Sequence, residues 1–270
     1  MKLNTGSVVW LSFISTSSAH YVFSRLIINN GWTKDFIYVR PLSPLTGNAS
    51  DWYHTLKPNE DPTSLTFRCG PNATISGSQT KTADVTAGDT VGFGVGEPHF
   101  QYGNFKYDVP RLYHPGPASA WLSKAPDDDL DAYTGDGDWF KILSVITRTN
   151  QSIPITSAVL APFQAQWGTY LATSWNFTIP ATTPPGKYLL RFEHILAGLK
   201  NGTGYGHNEQ YYANCAQLNI VNDGEVGDPS PKVKLPGIYA KNQPEFMFDI
   251  WDKTKNVSDF QMPGPAVWQG

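Results

Sequence analysis

The sequence predicts an all-β fold, an immunoglobulin- or fibronectin-like β-sandwich with long surface loops and a C-terminal wrapping extension. Three observations carry that prediction. Aromatic residues are 13% of the 270-residue chain; Gly 24 and Pro 21 punctuate it more densely than in an average domain; and no segment sustains a helical apolar period. Short β-rich runs separated by turn signals are what a sandwich requires.

The elements follow in order. Tyr21 to Ile28 reads as a strand that ends at the turn signal Asn29-Asn30-Gly31, so a hairpin or loop follows. Residues 36–39 and 64–68 read as short strands, with a polar surface loop over 51–62 between them. Ala87-Gly88-Asp89 turns into a strand over 90–95, and 118–122, 139–146 and 174–179 carry alternating or β-branched runs. Pro184-Pro185-Gly186 launches a strand over 187–195, and 210–221 is the last strong one. After Asn222-Asp223-Gly224 the composition turns rich in Pro, Lys and Asp. Ile238, Phe246, Phe248, Ile250 and Trp251 are too apolar there for a free linker, so 222–270 is expected to pack on the sandwich formed by 20–221.

Only 16% of residues are charged and the net charge is -3, so no basic field exists to release counterions from a phosphate backbone. Nucleic acid is thereby excluded as a partner. Lys2, the apolar run Val8 to Ile14 and the small residues Ser15 to Ala19 read as a secretory signal peptide over 1–19. That run is far shorter than the roughly 20 residues a bilayer span needs, so the expected product is secreted, extracellular and without a membrane anchor. Asn-x-Ser/Thr sequons at Asn48, Asn72, Asn150, Asn176, Asn201 and Asn256 fit such a route. In an oxidising compartment Cys69 and Cys215 can form a disulfide; two buried thiols are the alternative.

Cleavage after Ala19 makes His20 the first residue. A terminal histidine offers its α-amino nitrogen and imidazole Nδ1 together, a chelate suited to Cu(II), although an ordinary terminal His is an equal reading of this feature alone. His114 stands in Tyr113-His114-Pro115-Gly116-Pro117, a rigid corner that could aim one imidazole outward; a lone surface His is the commoner reason for such a motif. Gln210 and Tyr212, two apart at a strand start, share a face. They could serve as hydrogen-bonding amide and weak axial ligand of a metal, or simply fill a sandwich face. Hydrolase readings are weaker. Asp127, Asp128, Asp129 and Asp131 crowd one loop rather than facing each other across a cleft, and no GxSxG, HExxH or CxxC occurs.

Taken together, His20 after the leader, Arg68-Cys69, the stretch His114 to Pro126, Gly137 to Lys141, Pro185 to Arg191, Gln210 to Leu218 and Pro263 to Trp268 resemble fungal lytic polysaccharide monooxygenases of auxiliary activity family 9. The resemblance covers nearly the whole chain after residue 19. It implies a copper "histidine brace" of His20 and His114, an axial Tyr212, a glutamine Gln210 beside the metal and a Cys69–Cys215 bridge. It further implies one copper per chain, an external electron donor (small reductant or redox protein), O2 or H2O2 as co-substrate, and a polysaccharide partner such as cellulose met by a monomer. One position departs. Gly198 stands where the family carries a histidine, and His207, in a loop with Gly202, Gly204 and Gly206, is the nearby candidate to replace it; an exposed loop histidine is an equal reading. His194 is expected to be structural. Tyr21, Tyr239 and Trp251 are candidate substrate-facing aromatics, or equally packing residues. A non-catalytic copper- or glycan-binding protein on the same fold is the alternative function that Gly198 motivates.

Overall fold

The computed structural model describes residues 20–42, 55–96, 110–154, 166–197, 209–250, 252 and 254–270. The strands among them are Arg25–Ile28 (β1), Gly31–Trp32 (β2), Ala83–Thr86 (β3), Thr90–Gly94 (β4), Ala118–Lys124 (β5), Phe140–Val145 (β6), Ser174–Thr178 (β7), Gly186–Leu196 (β8) and Gln210–Val221 (β9). They form a four-stranded sheet in the order β2-β1-β4-β7 and a five-stranded sheet in the order β3-β9-β8-β5-β6. All pairings are antiparallel except β3 with β9. The protein is therefore an all-β sandwich.

Local chemistry accounts for these elements. Asn29 and Asn30 take φ of 47° and 69°, the left-handed pair that a two-residue hairpin demands, and asparagine tolerates that region best after glycine. Between the sheets, Phe192 of β8 meets Phe23, Phe93 and Phe177 at ring-centroid distances of 4.8, 5.6 and 6.1 Å. Two expected strands are absent. Within 36–39 only Val39 pairs, in an isolated bridge to Ala216, and 65–67 form a 3-10 turn that buries Phe67. In the other direction, β3 carries too short a pattern to be anticipated; its parallel partner β9 holds it in place.

The five-stranded sheet is buried on both faces. Its outer face carries Arg191, Glu193, Trp121 and Lys141, all sealed from solvent. Residues after 222 do much of the sealing. Tyr239 donates its hydroxyl to Glu193 Oε2 at 3.2 Å, Lys141 Nζ donates to the Pro263 carbonyl at 3.1 Å, and Val233 pairs with Trp139. Leu235, Tyr239, Phe246, Ile250, Val257 and Phe260 are all core residues. Cys69 and Cys215 are joined by a disulfide over a sequence separation of 146. In the chain-entropy model a loop of that length stabilises the fold by roughly 4–5 kcal/mol. No helix among the described residues is long and apolar enough to cross a membrane.

Candidate metal centre

At one end of the sandwich β8 finishes and β9 begins, and the register sets His194 beside Tyr212 and Leu196 beside Gln210. Because β-strand side chains alternate, Gln210, Tyr212 and His194 fall on one face. Tyr212 Oη donates to Gln210 Oε1 at 2.8 Å. That bond engages the amide oxygen and leaves the Gln210 –NH2 as the donor end.

His114 reaches this group through its corner. The Ile195 amide donates to the Pro117 carbonyl at 3.0 Å, and a Cβ on Gly116 would collide with the Ile195 carbonyl. Glycine at 116 is therefore what lets the corner lie against β8, and the two flanking prolines stiffen it. His20 joins them from the start of the described chain. Its ring centroid is 6.4 Å from that of His114 and 6.3 Å from that of Tyr212, while His114 and Tyr212 are 5.7 Å apart. Four residues scattered over 193 positions of sequence thus converge, and the structure places His20, His114, Gln210 and Tyr212 together. His207, Gly198, Trp251, the leader over 1–19 and the sequons at Asn48 and Asn201 lie outside the described residues.

The other two aromatic candidates are corrected. Tyr21 is 3% exposed and stacks on Tyr212 with centroids 4.2 Å apart, and Tyr239 is 4% exposed with its hydroxyl on Glu193. Neither can touch a substrate; both are packing residues. His194 is fully buried with Nδ1 2.5 Å from the Tyr21 hydroxyl, in keeping with a structural role.

The buried titratable groups here are biased toward their neutral forms. Burial pushes the His194 imidazole down to about 3, with His114 adding to the fall and the Gly116 backbone carbonyl opposing it. Burial also lowers His20, more than Glu60 offsets, and Lys57 lowers it further. Tyr21 and Tyr212 are both raised well above the usual phenol value by burial, the second also by Glu60. Neutral imidazoles keep a lone pair for a metal, and a protonated phenol is a weak rather than an anionic ligand. Among the described residues no three His, Cys, Asp or Glu side chains form a metal-holding group. Two imidazoles fit a metal here only if a third nitrogen joins them, and the α-amine of His20 would be that nitrogen once the bond to Ala19 is cut.

Sequence reasoning missed the Tyr21–His194 pair and the placement of Lys57 and Glu60 at the rim. The pair depends on cross-strand register. The rim depends on Asn59, whose backbone exchanges hydrogen bonds of 2.9 and 2.8 Å with Tyr211 and so ties that loop to β9.

Comparison with known proteins is in accord. Residues 20–260 match Auxiliary Activity family 9, formerly GH61. The chain is 35% identical over 271 residues to AA9 family lytic polysaccharide monooxygenase G of Aspergillus tamarii, covering 100% of this chain and 72% of that one. It is 34% identical over 285 residues to monooxygenase U of Thermothielavioides terrestris, covering 100% of both. Among solved structures, HiLPMO9B superposes with a TM-score of 0.64 at 25% identity, covering 93% of this chain and 100% of that one.

Proposed function

The chain belongs to auxiliary activity family 9, a family of lytic polysaccharide monooxygenases, and from that premise we propose a secreted, copper-dependent enzyme that oxidatively cleaves β-1,4-linked glucan such as cellulose. The single observation that carries the copper reading is the convergence of His20 and His114 beside Tyr212. In this reading the α-amine and imidazole of His20 and the imidazole of His114 hold copper, with the Tyr212 hydroxyl beside it. Copper, when bound, supplies the one-electron chemistry by which an external reductant and O2 or H2O2 oxidise C1 or C4 of the sugar.

The chain's own residues do the positioning. Gly116 and its prolines hold His114 against β8, and Tyr21 stacks beneath Tyr212 so that the phenol cannot tilt away. Tyr212 occupies the Gln210 oxygen, which leaves the Gln210 –NH2 to donate toward an oxygen atom at the site. Lys57 and Glu60, both exposed and of opposite charge, border His20 and offset each other there. His207 is proposed as a second hydrogen-bond donor from its glycine-rich loop.

The test compares protein starting at His20 with protein retaining Ala19. Calorimetric titration should find one tightly bound copper in the first and loss of that affinity in the second, in His20→Ala and in His114→Ala. Undiminished affinity with Ala19 retained would sink the reading. Gln210→Ala should keep copper affinity nearly intact while lowering release of oxidised oligosaccharides about 10–100-fold, and His207→Ala likewise if it donates. Tight copper binding with no oxidised product on any glucan would instead point to a binding protein.

A further inference from the structure

On the outer face of the four-stranded sheet an exposed tryptophan and a sequon share one row. The register runs Trp32 to Ile27, Ile27 to Gly92 and Gly92 to Asn176, so these four residues lie side by side on that face. Trp32 is 49% exposed, the largest side chain the fold leaves open among the described residues. It leans across β1 onto β4, where a Cβ on Gly94 would collide with its indole. Asn176 leans the same way from β7, and a Cβ on Gly92 would collide with its Oδ1. The indole thus lies over Gly94 and the carboxamide over Gly92, both glycines are buried, and the two side chains stand as neighbours on this face.

Asparagine is a poor strand residue, and here its Oδ1 is buried with no hydrogen-bond partner among the described residues. A threonine would suit the strand better. The backbone at this position is already satisfied by Gln151, whose side-chain amide donates to the Asn176 carbonyl and accepts from the Asn176 N–H, both at 2.9 Å. The Asn176 side chain therefore contributes nothing that the sheet requires. With Oδ1 turned inward, Nδ2 is the outer atom, and Asn176-Phe177-Thr178 is a sequon.

We propose that Asn176 carries an N-linked glycan whose first sugars lie against the exposed face of Trp32. The proposal takes its secretory route from the function proposed above. The transfer uses a lipid-diphosphate-linked oligosaccharide as donor. The sugar C1–Nδ2 bond forms, the C1–O bond to the diphosphate breaks, and the Nδ2 proton leaves with the diphosphate. Gly94 pairs with Ser174, so Asn176 is its diagonal neighbour at about 7–8 Å, within the reach of one sugar ring. The C–H face of that ring is electropositive and the indole face electronegative, which gives the contact its sign. It also covers the half of Trp32 left exposed among the described residues.

The experiment uses the full chain secreted from a yeast, with site occupancy read by enzymatic deglycosylation in heavy-oxygen water and peptide mass mapping. Asn150, exposed on a turn, is the control sequon. Occupancy at both Asn150 and Asn176 is expected. Asn150 occupied with Asn176 bare overturns the proposal. Both bare overturns it too, while the secretory reading is judged separately, by whether the chain's own residues 1–19 carry it into the medium, and loss of copper binding alone would strike only the metal reading. The contact is then tested by a cycle of Asn176→Gln and Trp32→Ala. In yeast-made protein Asn176→Gln should lower Tm by about 2–4 °C with Trp32 present and by less than half of that in Trp32→Ala. The same cycle in bacterially made protein, which carries no glycan, should show no coupling. Equal Tm losses in both Trp32 backgrounds would remove the indole contact.

Discussion

The two faces of the β8–β9 pair both bury polar side chains, and they treat them in opposite ways. On the outer face Arg191 Nη2 and Glu193 Oε1 form a 2.6 Å ion pair with neither side chain exposed, and Tyr239 and Ser119 both donate to Glu193 Oε2. Lys141 is sealed alongside, over the ring of Trp121 at 4.9 Å. Charge is kept there, with the one Glu193 carboxylate serving both Arg191 and Lys141. At the end of the inner face, His20, His194, Tyr21 and Tyr212 are all biased toward their neutral forms by burial, and they meet chiefly as stacked or tilted rings. A charged cluster clamps the 222–270 segment to the sheet, whereas a neutral cluster keeps lone pairs for a ligand.

The comparison can be broken most forcefully on the charged face. Glu193→Leu strands Arg191 without its counter-ion, and an unfolding free energy lower by about 3–5 kcal/mol is expected in urea titration. Replacing both partners by Met or Leu should recover most of that loss. If it does not, the ion pair has a role beyond matching charge.

Lys141 gives a smaller effect with a distinctive pH signature. Burial pulls its ammonium from the ordinary 10.5 to about 8, with Glu193 opposing the fall. Between those values the unfolded chain holds the proton that the folded chain has released, so stability rises with pH, by about 1.4 kcal/mol per unit at most. Above pH 10 the trend reverses, because Tyr21, Tyr188, Tyr211, Tyr212 and Tyr239 are all raised and their protonated forms favour the folded state only below the phenol range. A stability maximum between pH 8 and 10 that vanishes in Lys141→Met is the expected outcome of denaturant titrations across that range.

The smallest effect belongs to the neutral face. Tyr21→Phe removes the partner of His194 Nδ1 but keeps the ring stacked on Tyr212, so a loss of about 1–2 kcal/mol is expected, read by the same titration. A loss as large as that of Glu193→Leu would mean that the two faces are not distinct in kind.

Much of this was legible in the residues themselves. The hairpin at Asn29-Asn30, the long strands over 186–196 and 210–221, the Cys69–Cys215 bridge and the shared face of Gln210 and Tyr212 all follow from local signals: turn chemistry, β-branched runs, cysteine count and the two-residue period of a strand. The chemistry of His20 and of the His114 corner could be suspected from single residues, and the family resemblance joined them. Tertiary structure alone decided the rest. It put Tyr21 and Tyr239 in the core, made 65–67 a 3-10 turn, and matched Arg191 to Glu193 beneath residues from the far end of the chain. It also brought Trp32 into one row with Asn176 through two intervening strands. A sequence carries the period of each strand and the preference of each turn, but which strands neighbour one another, and in what register, depends on burying all the apolar faces at once. Contacts between residues that far apart are outcomes of that joint packing, and no local pattern encodes them.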